Sequence, residues 1–240
     1  AELLPLVSAF NATLDELQAA YRQSEGFSAD VAHELRSPLA TLIGGTQFVL
    51  SRPRSIEALR EALASNLEEL ESLKHLVNDM LFLARADRGE RAQSLQRTDL
   101  GELADATIDY CAALFEEAGL AVHRVGSATA VCNAALIRRA IANLLSNACQ
   151  HAGGDRRVIL HLEAVPGRVR IWVFNAGDPL TAEVIGRMFD RFYRANAARS
   201  GHGAHHGLGL AIVQAVARMH GGSVFFCTQK TAYEIGLEIP

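Results

Sequence analysis

The sequence predicts two folds in succession, a hairpin of long amphipathic helices followed by an α/β sandwich. Through the first third of the chain, apolar residues recur at alternating steps of three and four, as they do along the seam of a helical bundle. Further along, helical segments alternate with short β-rich segments, which is typical of helices packed on a sheet. With 240 residues, of which 49% are hydrophobic, the chain is long enough to form two cores.

Composition excludes several classes of function. The net charge of -4 gives no basic field for nucleic acid, so we expect no direct nucleic-acid partner. Without any Cys-x-x-Cys pair, the scattered cysteines predict small core thiols rather than a zinc site or a disulfide framework. They are Cys111, Cys132, Cys149 and Cys227. No apolar run in the sequence reaches membrane-spanning length, which predicts a cytoplasmic location for this stretch.

A candidate nucleophile lies on the first predicted helix. The seam of that helix comprises Leu3, Val7, Phe10, Leu14, Leu17, Tyr21, Ser24, Ser28, Val31, Leu35, Pro38, Leu42, Gly45 and Val49. His33 falls between seam positions, so its imidazole is predicted to face solvent, with Glu34 beside it and Ser37 one turn further on. An adjacent carboxylate can hold the tautomer of the ring and raise its basicity, as a nucleophilic histidine requires. Taken alone, a helical histidine is more often a solvated side chain.

The second predicted helix leaves a surface that needs a partner. After a turn at residues 51–54, its seam comprises Leu59, Leu63, Asn66, Leu70, Leu73, Val77, Met80 and Ala84. Two helices cannot bury two such seams, so we expect a homodimer in which two hairpins form a four-helix bundle. Asn66 either sets the register or oligomeric state of that bundle or is a tolerated polar core residue.

The remaining elements follow from periodicity. We predict helices over Leu100–Glu117, Ala134–His151 and Gly207–His220, and strands over Leu120–Val125, Ala128–Cys132, Arg157–Glu163, Arg168–Phe174, Ser223–Thr228 and Tyr233–Ile239. On the helix beginning at residue 134, the apolar face is formed by Ile137, Ile141, Leu144, Leu145 and Ala148.

The opposite face of that helix is a stripe formed by Asn143, Asn147, Gln150 and His151. A solvated face is normally lysine and glutamate, because asparagine has poor helix propensity. Amide oxygens can ligate Mg²⁺ and amide nitrogens can donate to phosphate, so this stripe favours a metal-nucleotide site.

Glycines and arginines add phosphate-binding chemistry further along the chain. Gly207 and Gly209 open a predicted helix, where backbone N–H groups and the helix dipole favour bound phosphate. Arg191 and Arg194 can reach phosphate groups, although each alone is more often a surface charge. Between them and the glycines, residues 195–206 have the small, polar composition of a mobile lid.

Motifs in both halves resemble those of the sensor histidine kinases of two-component systems. In chain order these are His33-Glu34-Leu35-Arg36-Ser37-Pro38 (H box), Asn143 to Ala148 (N box), Asn175 to Pro179 (first glycine box), Met188 to Arg194 (F box) and Gly207 to Val213 (second glycine box). By these boxes the chain is identified as a member of that family. The helix motifs Ser65 to Glu69 and Asp79 to Ala84 are most similar to those of its heavy-metal-sensing subgroup.

The resemblance implies Mg·ATP-dependent phosphorylation of His33, with Glu34 as the orienting or general base, and transfer to an aspartate on the receiver domain of a response regulator. It implies that Ser37 orients water when the regulator is dephosphorylated. Nucleotide contacts are implied for Asn143, Asn147, Gln150, His151, Asn175, Gly177, Arg191, Arg194, Gly207, Leu208, Gly209 and Leu210, with Asn147 as the Mg²⁺ ligand.

The resemblance also implies a division of the chain. Residues 1–22 would end a HAMP-like signalling helix, or equally form a coiled-coil lead-in. A dimerisation and phosphotransfer domain is expected at 23–90, a linker at 91–98, and a catalytic ATP-binding domain of the histidine-kinase and Hsp90-like type at 99–240. The HAMP interpretation places a membrane segment upstream and makes this chain the cytoplasmic fragment of a bacterial inner-membrane protein.

Three residues depart from the family pattern. Asn175 replaces the aspartate that accepts from the adenine amino group, and Pro179 and His205 replace glycines. An amide oxygen can still accept that hydrogen bond, though without charge, and a strand-ending turn also explains this segment. The departures favour an alternative, a pseudokinase dimer that docks a regulator with little ATP turnover. An ATPase of the chaperone or topoisomerase kind is a third hypothesis, against which the exposed histidine of the hairpin argues.

Overall fold

The computed structural model describes residues 14, 18, 30–153, 156–195, 206–229 and 232–240. The chain divides into two compact units, Ala1–Leu76 and Val77–Pro240. Most of the HAMP-like segment and of the predicted lid lie outside the described residues. No helix in the described part is long and apolar enough to cross a bilayer. A helical hairpin and an α/β unit are both present, as the sequence predicted.

The hairpin consists of α1, which is helical through residues 30–50, and α2, Ile56–Asp87. Helix α1 continues through Pro38, which is buried. In the turn, the guanidinium of Arg54 lies 4.3 Å from the centroid of the Phe48 ring and donates to the Phe48 carbonyl at 3.2 Å. The hydroxyl of Ser55 then accepts from the N–H of Ala58 at 3.2 Å and caps α2.

The inner seam of the hairpin includes one polar contact. The Asn66 side-chain amide donates to the Thr46 hydroxyl at 3.1 Å, and that hydroxyl donates to the Leu42 carbonyl at 2.7 Å. Asn66 therefore has a partner within its own chain, on the facing helix. This pairing fixes the register of α1 against α2, since a shift of either helix would break it.

The α/β unit contains β1 (Gln96–Asp99), α3 (Leu100–Tyr110), α4 (Ala112–Ala118), β2 (Ala121–Val125), β3 (Thr129–Cys132), α5 (Ala134–His151), β4 (Arg157–Val165), β5 (Arg168–Ala176), α6 (Ala182–Arg187), α7 (Gly209–Met219), β6 (Ser223–Gln229) and β7 (Ala232–Ile239). Five strands form one sheet in the order β2-β4-β5-β7-β6, in which only β2 and β4 are parallel. Strands β1 and β3 form a separate antiparallel pair.

The core of this unit lies between the sheet and its helices. Helix α5 packs against both α7 and β5, and α7 also contacts β6 and β7. Fully buried side chains include Leu100, Ile137, Ile141, Leu145, Leu160, Ile171, Ile212, Leu237 and Ile239. The apolar face predicted for α5 is confirmed, since all of its residues are buried.

Several sequence predictions need correction. The helix predicted over Leu100–Glu117 breaks at Cys111 into α3 and α4. In α3 the Thr107 hydroxyl donates back to the Leu103 carbonyl at 2.6 Å, a bond that bends helices, and the N–H of Cys111 is shared between the carbonyls of Thr107 and Ile108. The prediction of a core thiol is wrong for Cys227, which is exposed on the edge strand β6.

The sequence missed two elements and misplaced the start of another. Strand β1 is short and polar, so its own sequence has no strand pattern. It is a strand because it pairs with β3, with Thr98 opposite Ala130. Helix α6 is too short for periodicity to show, and its start is capped by the Thr181 hydroxyl, which accepts from Val184 N–H at 3.3 Å. Helix α7 begins at Gly209 rather than Gly207, which has φ +68° and so cannot be helical.

Candidate functional site

His33 is presented to solvent on α1. Its side chain is 79% exposed, and Nδ1 lies 4.0 Å from Oε1 of the half-buried Glu34. That distance is too long for a hydrogen bond, so in this conformation the carboxylate acts on the ring only through its charge. Ser37, one turn further on, is also exposed. The solvent-facing orientation predicted from the seam is therefore confirmed for His33 and Ser37, whereas Glu34 is half-buried.

Helix α5 brings its first predicted site residue against the start of α7. The Asn143 amide donates to the Arg139 carbonyl at 2.8 Å, which leaves Oδ1 pointing at Gly209. A Cβ at Gly209 would lie 3.0 Å from that oxygen, so glycine permits the close approach of the two helices. Asn143 therefore lies against the N-terminus of α7, a placement that is compatible with the nucleotide contact predicted for it.

Asn147 lies one turn after Asn143 on α5, and its side-chain amide is on the polar face of the helix. It is half-buried, and among the described residues it has no hydrogen-bond partner. A preformed amide oxygen of this kind is a ligand that Mg²⁺ accepts, so the residue fits the metal role predicted for it. Gln150 is exposed near the end of the helix. Burial of the His151 ring against the unit lowers its pKa, although the side chain keeps contact with solvent.

The end of β5 meets the end of α5 through a tyrosine that the sequence did not single out. Asn175 is 1% exposed and lies opposite Tyr233 in the register of β5 and β7. The Tyr233 hydroxyl donates to the His151 carbonyl at 3.2 Å, and the Asn175 amide donates to the Ala176 carbonyl at 3.2 Å. A Cβ at Gly177 would lie 2.4 Å from the Tyr233 hydroxyl, so only glycine leaves room for this contact.

Burial raises the pKa of the Tyr233 phenol, and the Asn175 side chain, which faces it across the paired strands, opposes that shift. The bond that Tyr233 donates to the His151 carbonyl ties β7 to the end of α5. The only sequence signal for this role was the position of a tyrosine on the strand that pairs with the first glycine box.

The start of α7 is shaped for an anion. Its N-cap residue, Leu208, provides no side-chain cap, so among the described residues no side chain caps the first N–H groups of the helix. Gly207 must be glycine, because its φ is +68° and a Cβ would lie 2.8 Å from the backbone of Phe192. The N–H of Phe192 donates to the Gly207 carbonyl at 3.0 Å and ties the F-box segment to this turn.

The two arginines of the F-box segment differ. Arg191 is largely buried, and its guanidinium forms a hydrogen-bonded ion pair with the carboxylate of Asp87 at the end of α2. Arg194 is exposed. Of the two arginines predicted to reach phosphate, Arg191 is therefore held by a carboxylate of the same unit. No local pattern in the sequence indicates that contact.

A second ion pair joins the end of α2 to α5 within the α/β unit. The Arg139 guanidinium pairs with Asp79 and stacks over the Phe82 ring at 4.1 Å from its centroid. Because the Arg139 carbonyl also accepts from Asn143, this contact and the amide stripe share one turn of helix. The sequence indicated Asp79 only as part of a subgroup motif and did not predict its contact with Arg139.

Comparison with known proteins identifies a family for each half of the chain. The family of His Kinase A (phospho-acceptor) domains matches residues 23–89, and the family of histidine kinase-, DNA gyrase B-, and HSP90-like ATPases matches residues 132–239. The sensor histidine kinase CusS of Escherichia coli strain K12 is 37% identical over 93% of this chain and 47% of its own length. The chain belongs to the sensor histidine kinases.

The sensor protein CzcS of Cupriavidus metallidurans is 38% identical to this sensor histidine kinase chain, over 92% of the chain and 46% of its own length. These relatives confirm the predicted placement in the heavy-metal-sensor subgroup. The chain spans about half the length of the curated relatives it matches.

A solved structure shares the fold. Histidine kinase ThkA, in a crystal structure with the response regulator protein TrrA, superposes with a TM-score of 0.66 at 19% identity, covering 94% of this chain and 66% of that one. A histidine kinase hairpin followed by its ATPase-type unit is therefore the architecture of this chain, as the sequence predicted.

Proposed function

We propose that this chain is the kinase portion of a two-component sensor, which phosphorylates His33 with ATP and passes the phosphoryl group to an aspartate of a response regulator. The observation that carries the proposal is the exposed imidazole of His33 beside Glu34, on a phospho-acceptor hairpin in the same chain as an ATPase-type unit. Neither feature alone would distinguish a signalling kinase from a scaffold or another ATPase.

The proposed chemistry at His33 is a phosphoryl transfer to nitrogen. With the proton on Nδ1, the lone pair of Nε2 forms a bond to the γ-phosphorus, and the bond from that phosphorus to the bridging oxygen breaks, its electrons leaving on ADP. A hydrogen bond from Nδ1–H to the Glu34 carboxylate would fix the reactive tautomer and stabilise the developing positive charge. Exposure of the ring allows in-line attack without displacing packed side chains.

Residues of the α/β unit would hold the nucleotide. Asn143, Asn147, Gln150 and His151 line one side, Asn175 and Gly177 would meet the base, and the glycine-led start of α7 would meet phosphates. Arg191 and Arg194 would reach the phosphates as well. A bound Mg²⁺, with Asn147 as a ligand, would neutralise phosphate charge.

We also propose a homodimer. Within one chain, the hairpin leaves an apolar stripe at the surface, formed by Leu39, Ile43, Leu59, Leu63, Leu67 and Leu70. Contiguous apolar surface of this kind is costly in water, and a second hairpin is the partner of matching length and chemistry. A four-helix bundle would bury it. Leu59, Leu63 and Leu70 belong to the seam predicted for α2, whereas Leu39, Ile43 and Leu67 lie outside the predicted seams.

The regulator and membrane relationships extend the proposal. ThkA was crystallised with a response regulator protein, and the receiver domain of such a regulator would accept the phosphoryl group from His33. Ser37, exposed on the same side of α1, would orient water in the reverse dephosphorylation. The full-length protein would be anchored in a bacterial inner membrane by an upstream segment, with this part in the cytoplasm. The domain limits 23–90 and 99–240 and the linker 91–98 stay predictions.

The docking-scaffold alternative gains no support. One of the three departures that favoured it, Asn175, is buried and donates to the Ala176 carbonyl, which leaves its side-chain oxygen as an acceptor. Pro179 is exposed, and His205 lies outside the described residues.

The test is incubation with γ-labelled ATP and Mg²⁺, comparing the native chain with His33→Gln. We expect acid-labile, base-stable label on the native protein and none on the variant. His75→Gln is the matched control, because it removes an exposed imidazole from α2 and should leave labelling unchanged. Absence of label from the native protein, together with absence of ATP binding, would sink the kinase assignment and favour the scaffold.

A further inference from the structure

The connecting segment, residues 88–95 between α2 and β1, is fastened to the ends of two helices. The N–H of Ala92 donates to the carbonyl of Met219, the last residue of α7, at 2.9 Å. The carbonyl of Gln93 accepts from the side-chain amide of Asn133, at the start of α5, at 2.9 Å. These helices carry the amide stripe and the glycine-led turn at their opposite ends. The fastening therefore joins the connecting segment to both helices of the candidate nucleotide site.

Asn133 is the centre of this fastening. Its Oδ1 accepts from the Leu136 N–H at 3.0 Å and caps α5, which leaves Nδ2 to donate to the connecting segment. Its backbone N–H donates to Nε2 of His220 at 3.1 Å, and that ring donates from Nδ1 to the Val216 carbonyl at 2.8 Å. The amide has one orientation, because turning it over would set a hydrogen against the Leu136 N–H and an oxygen against the Gln93 carbonyl.

The connecting segment is held in a shape that it would leave on release. Ser94 directly follows the held carbonyl and has φ +53°, in the left-handed region. That region is sterically disfavoured for a residue with a side chain, and such a conformation persists only where the surroundings enforce it. Since Ser94 is exposed, the enforcement comes from hydrogen bonds of its neighbours rather than from packing of its own side chain. Breaking the Asn133 bond would let this turn relax.

Fastening shortens the free part of the connecting segment. An extended chain spans at most about 3.5 Å per residue, so residues 88–95 span up to about 28 Å when released. While Ala92 and Gln93 are held, only residues 88–91 are free, and these span up to about 14 Å. The fastening thus about halves the distance by which the end of α2 can separate from β1.

The proposed reaction at His33 has two steps with opposite requirements. Nε2 bonds one phosphorus at a time, so the ring receives a phosphoryl group from ATP in one step and gives it to a regulator aspartate in the other. The bound nucleotide must be brought to the ring for the first step and withdrawn for the second. A connecting segment of variable free length would set how often each occurs.

We propose that Asn133 is a latch on the connecting segment, a positioning residue that limits how often bound ATP reaches His33 without itself contacting the nucleotide. The proposal rests on the proposed function. The latch is closed while Nδ2 holds the Gln93 carbonyl and open when that bond is broken. Opening lengthens the free segment and leaves the cap of α5 in place, because the cap uses Oδ1.

The test is Asn133→Asp, which keeps an oxygen to cap α5 but has no hydrogen for the Gln93 carbonyl. At saturating γ-labelled ATP, we expect the rate of His33 labelling to rise about three- to tenfold, the population change that loss of one hydrogen bond produces. The ATP dissociation constant should stay within about twofold of the native value, because the nucleotide residues are untouched. Gln93→Glu is the matched control, because it adds the same charge to an exposed side chain and keeps the carbonyl, so its labelling rate should be unchanged.

Hydrogen exchange of the Ala92 amide measures the latch directly and without ATP. It should be about three- to tenfold faster in Asn133→Asp than in the native protein and unchanged in Gln93→Glu. Faster labelling without faster exchange would overturn the proposal, as would faster exchange without faster labelling. A change in ATP affinity that accounts for the labelling rate would overturn it too.

Should Asn133→Asp fail to fold, a longer connecting segment still decides. Insertion of Gly-Ser-Gly-Ser after the exposed Gly89 lengthens the free part while the latch stays intact, and should also raise the labelling rate. No increase from the insertion would overturn the proposal. Absence of label from every protein would overturn the proposed function and the role of the latch in it, while Ala92 exchange would still show whether Asn133 holds the segment.

Discussion

The hairpin and the α/β unit bury their apolar residues in different ways. In the α/β unit, Leu145 and its neighbours on α5 are fully buried by residues of the same unit. In the hairpin, Leu63 is 68% and Leu67 58% exposed, although both follow the spacing of a core face. The same residue type at the same helical period is thus core in one unit and surface in the other.

A single copy of the chain therefore forms a complete apolar core in the α/β unit but not in the hairpin. Burial of a leucine stabilises the folded state by about 1.5 to 3 kcal/mol, so the exposed leucines of the stripe contribute little of the stabilisation that their burial would provide. Stability of the hairpin should then depend on protein concentration, and that of the α/β unit should not.

Leu67→Asn is expected to have the largest effect on this comparison. It should weaken self-association by about 1.5 to 3 kcal/mol per copy, because it places a polar amide in the surface that the second hairpin would cover. Sedimentation equilibrium measures this change. The neighbouring Glu68→Asn should leave the dimer intact.

The counterpart of that variant in the other unit is Leu145→Ala. It should lower stability by about 2 to 5 kcal/mol at every protein concentration, since the cavity forms inside one chain. A concentration-dependent loss in Leu145→Ala, or none in Leu67→Asn, would contradict the contrast between the two units.

The next effect concerns pH and is confined to the α/β unit. His220 donates from Nδ1 to the Val216 carbonyl at 2.8 Å and accepts at Nε2 from the N–H of Asn133 at 3.1 Å, so the ring is neutral. Burial lowers its pKa below the ordinary 6.5, with the Val216 bond opposing. The contribution of this ring to the free energy of unfolding is therefore complete above pH 6.5. It is lost as the pH falls below that value, because the unfolded chain then binds more protons than the folded one.

Thermal melts between pH 8 and pH 5.5 measure this contribution. His220→Gln keeps an acceptor but does not titrate, so it should lose less stability on acidification than the native protein, by about 0.5 to 1.5 kcal/mol. His123→Gln, on the exposed strand β2, should behave as the native protein does. Identical pH profiles for the native chain and His220→Gln would rule out this bond as a source of acid sensitivity.

The smallest expected effect lies at the end of α2, the helix common to both units. Asp87→Asn removes the carboxylate that pairs with Arg191 and so removes a negative charge that competes with phosphate for the guanidinium. ATP affinity should rise by up to about fivefold, the value of a partly exposed ion pair. Isothermal titration checks this, with the exposed Asp109→Asn as control. An unchanged or weaker affinity would mean that the pair holds Arg191 in its working position.

Much of the fold could be predicted because its signals are local. The period of the seams predicted both hairpin helices and their turn, and the bounds of α5 follow from one periodic segment between polar ends. Exposure of His33 followed from its place between seam residues. Prediction failed where the signal was not local, as in β1, which forms only because β3 pairs with it.

The candidate site divides in the same way. The sequence by itself determined which residues are candidates for the chemistry of the proposed function, namely the histidine with its carboxylate, the amide stripe and the glycine-led helix, because spacing along one helix or turn sets which side chains share a face. Only the tertiary structure decided which partners hold them. Tyr233 reaches Asn175 through strand register, and Asp87 reaches Arg191 from another helix. Contacts between residues far apart in the chain depend on packing, which no local period encodes.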